Sequence, residues 1–139
     1  PSDDITSSNF LALMKRQVES GEVCGVMLAT PCCSFSIAAG RGGRPLRSKQ
    51  HPWGLPSLYG RELERVTQGN ALAKVSLRIF EMCGLQSIPC IVENPGNSYL
   101  WHLPEIISSL QNHRVLSIDQ CAFGTRWRKR TKLACYSMW

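Results

Sequence analysis

The stretch Val23-Cys24-Gly25-Val26-Met27-Leu28-Ala29-Thr30-Pro31-Cys32-Cys33 decides the fold class. Its first seven residues are nearly all apolar, which is the pattern of a strand covered on both faces. The run stops at Thr30-Pro31. Upstream, Ser7 and Ser8 are N-caps for a helix whose apolar positions Phe10, Met14 and Val18 recur every four residues, ending at Ser20-Gly21. Downstream, residues 39 to about 60 are rich in Gly, Pro and Arg and have no periodicity. A loop that long in a compact domain is functional or mobile. Helical spacing returns at Leu72, Val75, Ile79 and Met82, with Gly84 as the stop, and predicts a helix over residues 70–84. Residues 88–92 form a second apolar strand ending at Glu93-Asn94-Pro95. Leu103, Ile106, Ile107 and Leu110 mark a third helix with Pro104 in its first turn. Residues 115–118 predict a third strand and residues 131–137 a weaker fourth. There is no internal repeat.

Strands alternating with helices predict parallel βαβ units, in an α/β sheet with helices on both faces. Ligands in such sheets gather at the carboxyl ends of the strands. Three unusual segments fall there: Pro31-Cys32-Cys33, Glu93-Asn94-Pro95, and the basic run that follows Phe123-Gly124.

The 139 residues suit a single domain, 1–139, with a mobile basic loop at about residues 37–61. The composition, 43% hydrophobic and 19% charged, excludes a disordered tail, a collagen and a coiled coil. No apolar run approaches the ~20 residues of a membrane-spanning helix, and the first residues lack a signal-peptide pattern. The chain opens on Pro1 rather than Met, and is expected to be the middle of a longer sequence. Sixteen Lys and Arg outweigh ten Asp and Glu. Arg41, Arg44, Arg47 and Lys49 form one basic stretch; Arg126, Arg128, Lys129, Arg130 and Lys132 form another, and neither contains an acid. Such clustering points to a polyanion partner, the alternative being two solvated loops. The seven cysteines are odd in number and form no CxxC pair. No disulfide framework or zinc site is therefore expected; most should be small buried hydrophobes of an intracellular, reducing compartment, nucleus or cytoplasm. Cys32 and Cys33 are the exceptions.

A cysteine just after a strand, fixed by a preceding Pro31, sits where a thiolate can act as a nucleophile. A glutamate ending the neighbouring strand can serve as general acid or hydrogen-bond partner. Arginines from a third strand end can hold an anion or orient a base. Singly, Cys32-Cys33 is a structural pair and Glu93-Asn94-Pro95 a turn; with a long basic loop they fit nucleophilic attack on a nucleobase.

In order along the chain, these elements resemble the C5-cytosine-specific DNA methyltransferase family. Thr30-Pro31-Cys32-Cys33-Ser34-Phe35-Ser36 resembles its Pro-Pro-Cys-Gln-x-Phe-Ser nucleophile motif, and Val92-Glu93-Asn94-Pro95 its Glu-Asn-Val motif. Asp4-Ile5 is similar to the Asp-Ile whose carboxylate meets the adenine amino group of S-adenosylmethionine. Phe123-Gly124 with Arg128, Lys129 and Arg130 resembles its Tyr/Phe-Gly…Gln-x-Arg-x-Arg segment. The departures are Thr30 for the second Pro, Cys33 for Gln, Pro95 for Val, and Trp127 nearest the missing Gln. The Phe-x-Gly-x-Gly loop and the ribose-binding acid have no counterpart, so the likeness is to the central, catalytic half of a divergent methylase.

The resemblance implies a partial Rossmann-like S-adenosylmethionine-dependent sheet and methyl transfer to cytosine C5, in an active enzyme, a fragment or an inactive copy within a mobile element. Cys32 would attack C6, Glu93 would protonate N3, Asn94 would orient Glu93 and the nucleophile loop, and Arg128 or Arg130 would hold the base carbonyl. The base must leave the helix stack for this chemistry. Asp4, Ile5 and Pro31 would touch the cofactor. Ser36, Arg41, Arg44, Arg47, Lys49, Arg126, Lys129 and Lys132 would contact DNA, with residues 41–53 as the base-flipping loop. A second chain or an upstream segment would supply the glycine-loop half of the cofactor site; neither a metal nor a membrane is implied. The competing expectation is a non-catalytic nucleic-acid-binding module on a degenerate methylase fold.

Overall fold

The computed structural model describes residues 4–111 and 113–136, with the side chain of Arg41 outside that description. Helix α1 spans Ser8–Glu19, strand β1 Val26–Ala29, helix α2 Gly60–Leu85, strand β2 Cys90–Pro95, helix α3 Pro104–Leu110, strand β3 Arg114–Asp119 and strand β4 Arg130–Tyr136. Short 3-10 turns at Arg41–Gly43, Tyr99–His102 and Gln120–Phe123 punctuate the connections. Ser7 caps α1 as its sequence predicts, its Oγ accepting from Phe10 N at 3.2 Å.

The four strands form one mixed sheet in the order β1-β2-β4-β3. β1 and β2 are parallel, whereas β4 returns antiparallel between β2 and β3. The expectation of purely parallel pairing is thus corrected. No helix separates β3 from β4, so the chain reverses at the sheet end and must re-enter antiparallel.

The helices lie on one face of the sheet, not on both as expected. Strand order advances one way from β1 to β2 to β3, and right-handed crossovers in a constant direction deposit successive helices on the same side. α2 is wedged in this layer. Leu72, Val75 and Ile79 face Phe10 and β1, while Leu77 and Phe80 meet Val92, Trp101 and Ile106. Across the sheet, Cys90, Val92 and Ala134 alternate into this core, and their neighbours Ile91, Leu133 and Cys135 are half-buried on the other face. Met27 and Leu116 on that second face are 65% and 52% exposed. β1 is therefore covered on one face only. The cysteines are all free, yet only Cys83 and Cys90 are buried; Cys24 and Cys121 lie in the surface connections flanking β1 and β3, against the expectation that most are core residues.

α2 begins ten residues earlier than its apolar spacing predicts. Its first turns are held by polar side chains of the preceding loop rather than by an apolar stripe, so hydrophobic periodicity is blind to them. Gly69, a poor helix former, is required because a Cβ there would overlap Ser34 Oγ. Val66 of α2 joins Ala39, Leu46 and Leu58 of the loop in a second, small core. No described helix is long and apolar enough to cross a membrane.

Candidate active site and basic surface

β1 and β2 run side by side with Ala29 opposite Glu93, so the segments that follow leave the sheet at the same end. Thr30 is buried and anchored twice. Its Oγ1 donates to Ser76 Oγ at 2.8 Å, and its carbonyl accepts from Asn94 Nδ2 at 2.5 Å. Two residues on, the Cys32 carbonyl accepts from the backbone N–H groups of Phe35 and Ser36, both at 3.0 Å, closing a tight turn. Cys32 is half-buried on this turn and Cys33 is exposed. Phe35 is fully buried, and its carbonyl accepts from Tyr99 N at 2.9 Å. The turn is thus pinned from both sides, and the Asn94–Thr30 bond joins the two expected catalytic segments.

Strand alternation sends Asn94 into the helix-covered face and Glu93 toward the open one. Glu93 Oε1 is buried and accepts no hydrogen bond; its nearest charge is Lys129 Nζ at 3.8 Å. Asn94 Oδ1 is likewise buried and unbonded. The two unbonded oxygens therefore lie on opposite faces of the same strand end.

From the far side of the sheet, Asp119 gathers both expected base-holding arginines. Its Oδ2 accepts from Arg128 Nε at 3.0 Å, and its Oδ1 stands 3.4 Å from Arg130 Nε. Hydrogen bonding and charge from Arg128, seconded by Arg130, hold the Asp119 carboxyl below the ordinary carboxylate range. Arg128, Lys129 and Arg130 line one open groove of about 570 Å³ with Pro95, Gly96 and Asn97, immediately beyond Glu93. Asp119 was not among the residues expected from sequence; its position at the end of a strand was the available signal.

The basic stretches divide on inspection. Arg47, expected to contact phosphate, is fully buried at 0% exposure and is corrected to a structural residue. Its guanidinium donates to Ser34 O at 3.0 Å, Ser34 Oγ at 2.9 Å, Pro52 O at 2.7 Å, Asn70 Oδ1 at 2.8 Å and Val66 O at 3.3 Å. It lies 3.7 Å above the Phe35 ring, and burial lowers its pKa to about 10, so it remains a cation at neutral pH. Arg65, Asn70 and Tyr99, none of them anticipated, complete the support. Arg65 reaches Ala39 O at 2.7 Å and Cys33 O at 3.3 Å, and Asn70 Nδ2 donates to Trp53 O at 2.8 Å. The expected base-flipping stretch 41–53 is therefore tied to α2.

Arg44 is exposed but engaged by Glu62 at 2.5 Å. Ser36 Oγ accepts from its own turn at Ala38 N, 3.2 Å away. Lys49 is exposed, and Lys132 lies with its Nζ 5.9 Å over the Trp101 ring. The pKa of His102 is lowered first by burial and then by the charge of these two lysines. Arg126 is exposed. The expected role of Arg41 lies outside the described side chains.

Ile5 and Pro31 line one mostly apolar pocket of about 190 Å³ with Phe10, Thr30 and Leu72. Asp4 lies in the adjoining groove and is exposed, its Oδ1 engaged by Thr6 N at 2.9 Å and Thr6 Oγ1 at 2.6 Å. For the ribose and charged amino-acid end of S-adenosylmethionine, nothing among the lining residues forms a cradle. The described residues thus do not make a complete site for that cofactor. Among them, no cluster of His, Cys, Asp and Glu is placed to hold a metal ion.

No family model matches the sequence, and no curated protein or solved structure shows significant similarity to it.

Proposed function

We propose that this chain carries the nucleophile-bearing half of a cytosine-C5 DNA methyltransferase-like enzyme, with Cys32 as nucleophile and Glu93 as its acid partner. The observation that carries the reading is the strand-end pairing: a pinned Cys32 turn, bonded through Thr30 to Asn94, at the same sheet end as the neighbouring strand that carries Glu93. The sheet is read as part of a Rossmann-like methyltransferase sheet, its other half provided by an upstream segment or a second chain. The free edge of β1 and the uncovered second face agree with this.

Cytosine C5 is too weak a nucleophile to accept a methyl group unaided. The Cys32 thiolate adds to C6, forming the S–C6 bond as the C5–C6 π bond breaks and its electron pair moves to C5. A proton from Glu93 to N3 disperses the charge that develops on the ring. Arg128 or Arg130, turned from Asp119, holds the base carbonyl. Asn94 keeps the Thr30 carbonyl, and with it the nucleophile turn, in register with Glu93. S-adenosylmethionine, when bound, would supply the methyl group; because the described residues form no cradle for its ribose and amino-acid end, the chain's own chemistry stops at the covalent adduct. Without methylation the adduct takes a solvent proton at C5, then loses the original one and expels the thiolate.

That reversible sequence is the test. In deuterated water the chain should exchange cytosine H5 of a single-stranded oligonucleotide, followed by NMR. Cys32→Ser should abolish exchange and Cys33→Ser should retain it. Exchange that persists in Cys32→Ser, or that no preparation of the folded chain supports, refutes the catalytic reading.

One observation favours a second reading, nucleic-acid binding without catalysis. Glu93 faces Lys129, and Asp119 occupies both arginines, so the resting site is closed in ion pairs that must open before a base can enter. Salt-sensitive binding without H5 exchange would select it.

A further inference from the structure

The connection between β3 and β4 has a feature that the strand-end chemistry does not use. Residues 121–128 form a loop whose base is clamped. Gln120 N donates to Lys129 O at 3.0 Å, Gln120 Nε2 reaches Thr131 Oγ1 at 3.4 Å, and Asp119 holds Arg128 and Arg130. The loop itself is ordered by internal bonds. Gly124 N donates to Cys121 O at 3.2 Å, with Gly124 at φ 91°, and Thr125 Oγ1 donates to Trp127 O at 3.0 Å. On this clamped support Phe123 and Trp127 are 74% and 65% exposed. Two large aromatic rings left in water on an ordered loop are unusual for a surface with no partner.

Their surroundings specify that partner. Trp127 stands between Arg126 and Arg128, and from β3 through β4 the cations Arg114, Arg126, Arg128, Lys129, Arg130 and Lys132 face a single acid, Asp119. A protein partner for an aromatic patch needs a continuous apolar surface, which this loop lacks. Exposed rings alternating with cations match instead the way unpaired strands are bound, with bases stacking on the rings and the backbone tracking positive charge.

We propose that residues 121–128 form a stacking platform for single-stranded nucleic acid, with Trp127 and Phe123 offering ring faces to unpaired bases and Arg126 and Lys129 holding the flanking phosphates. The loop runs directly into Arg128, Lys129 and Arg130, which line the groove with Pro95, Gly96 and Asn97. The inference rests on the nucleic-acid substrate of the reading above but not on the Cys32 chemistry. It makes the preferred substrate a strand already open, since the platform reads base faces that a duplex keeps stacked.

The test is fluorescence anisotropy of the 139-residue chain against a labelled oligodeoxycytidine of about 12 nucleotides, within the usual site size of such platforms. The corresponding duplex and vesicles of anionic lipid are the comparison arms. The single strand should bind more tightly than the duplex, and both more tightly than the vesicles. Trp127→Ala should weaken single-strand binding about tenfold or more with unchanged circular dichroism, Phe123→Ala should weaken it less, and Trp127→Phe should restore most of the loss. Arg126→Ala should lower the slope of log K against log salt by about 0.7. Equal binding of duplex and single strand, a Trp127→Ala variant that binds like the parent, or tighter binding to vesicles would each overturn the proposal. Failed H5 exchange with ring-dependent strand binding intact removes only the Cys32 mechanism; preserved exchange with ring-independent binding removes only the platform.

Discussion

Replacing Arg47 by Met should loosen the segment between β1 and α2, because one buried guanidinium organises nearly all of it. The five hydrogen bonds of Arg47 end on three backbone carbonyls, Ser34, Pro52 and Val66, and on the side chains of Ser34 and Asn70. Methionine of similar length fills the space but offers no donor. Each buried carbonyl left without a partner costs about 1–3 kcal/mol, and loss of the stacking on Phe35 adds about 1 kcal/mol. Against this, the variant no longer has to desolvate a cation, the same cost that lowers the Arg47 pKa to about 10. The balance is a destabilisation of about 3 kcal/mol, a large fraction of the ~5–15 kcal/mol that holds a domain folded. Urea unfolding followed by circular dichroism measures it. Limited trypsin digestion localises it, because the loop holds the cleavable sites Arg41 and Lys49 and should be cut before α1 or α2. Arg47→Lys should fall between, keeping the charge without the planar fork that reaches several acceptors at once. An Arg47→Met variant within ~0.5 kcal/mol of the parent and equally resistant to trypsin would show that the loop is held by something other than this network.

With Arg47 buried and Arg44 engaged by Glu62, the cations left to meet duplex phosphates are chiefly Lys49, Arg126, Lys129 and Lys132, so log K against log salt should slope at roughly −3 to −4. A flat dependence between ~50 and ~200 mM salt would make both basic stretches ordinary solvated loops. His102, neutral at lower pH than usual because of burial and the neighbouring Lys49 and Lys132, gives a pH-dependent signature. A base whose folded pKa is depressed holds its stability above its unfolded value near ~6.5 and loses it as pH falls through the folded value. Urea midpoints should therefore drop over that window, and His102→Gln should flatten the drop. A bound polyanion should offset the two lysines and raise the His102 pKa in an NMR titration, whereas an unchanged pKa would place the nucleic acid elsewhere.

The resemblance to cytosine methylases sits in short segments that the sequence displays openly: Pro31-Cys32 after one apolar run and Glu93-Asn94 at the end of another. The fold adds that Asn94 reaches back to the Thr30 carbonyl, a contact between residues 64 positions apart that no local pattern encodes. The same separation between local and distant information explains the basic stretches. Sequence counts Arg44, Arg47 and Lys49 as equivalent charges, yet one is ion-paired, one is entombed and one is free. Asp119 and Trp127 show the converse: chemically legible residues whose meaning waits on knowing what lies beside them.

By itself the sequence determined the elements. Apolar spacing located α1, α3 and α2 from residue 70 onward; apolar runs located β1, β2 and β3, with only a weak pattern for β4. Ser7 and Pro104 marked where helices begin, whereas α2 continues through Gly84, the expected stop, to Leu85, and the left-handed residue beyond it is Ser87. These follow from interactions within a few residues, which a linear pattern records directly. Tertiary structure alone decided that β4 slots antiparallel between β2 and β3, that the helices share one face, and that α2 extends ten residues into territory without apolar periodicity. It also decided which cations face water. Each depends on what packs across the chain: the direction of crossovers, the handedness of connections, and a buried guanidinium whose acceptors come from three separate stretches. A sequence states the charge of Arg47 but not its surroundings, and for a side chain that can be either solvated or buried, the surroundings fix the role.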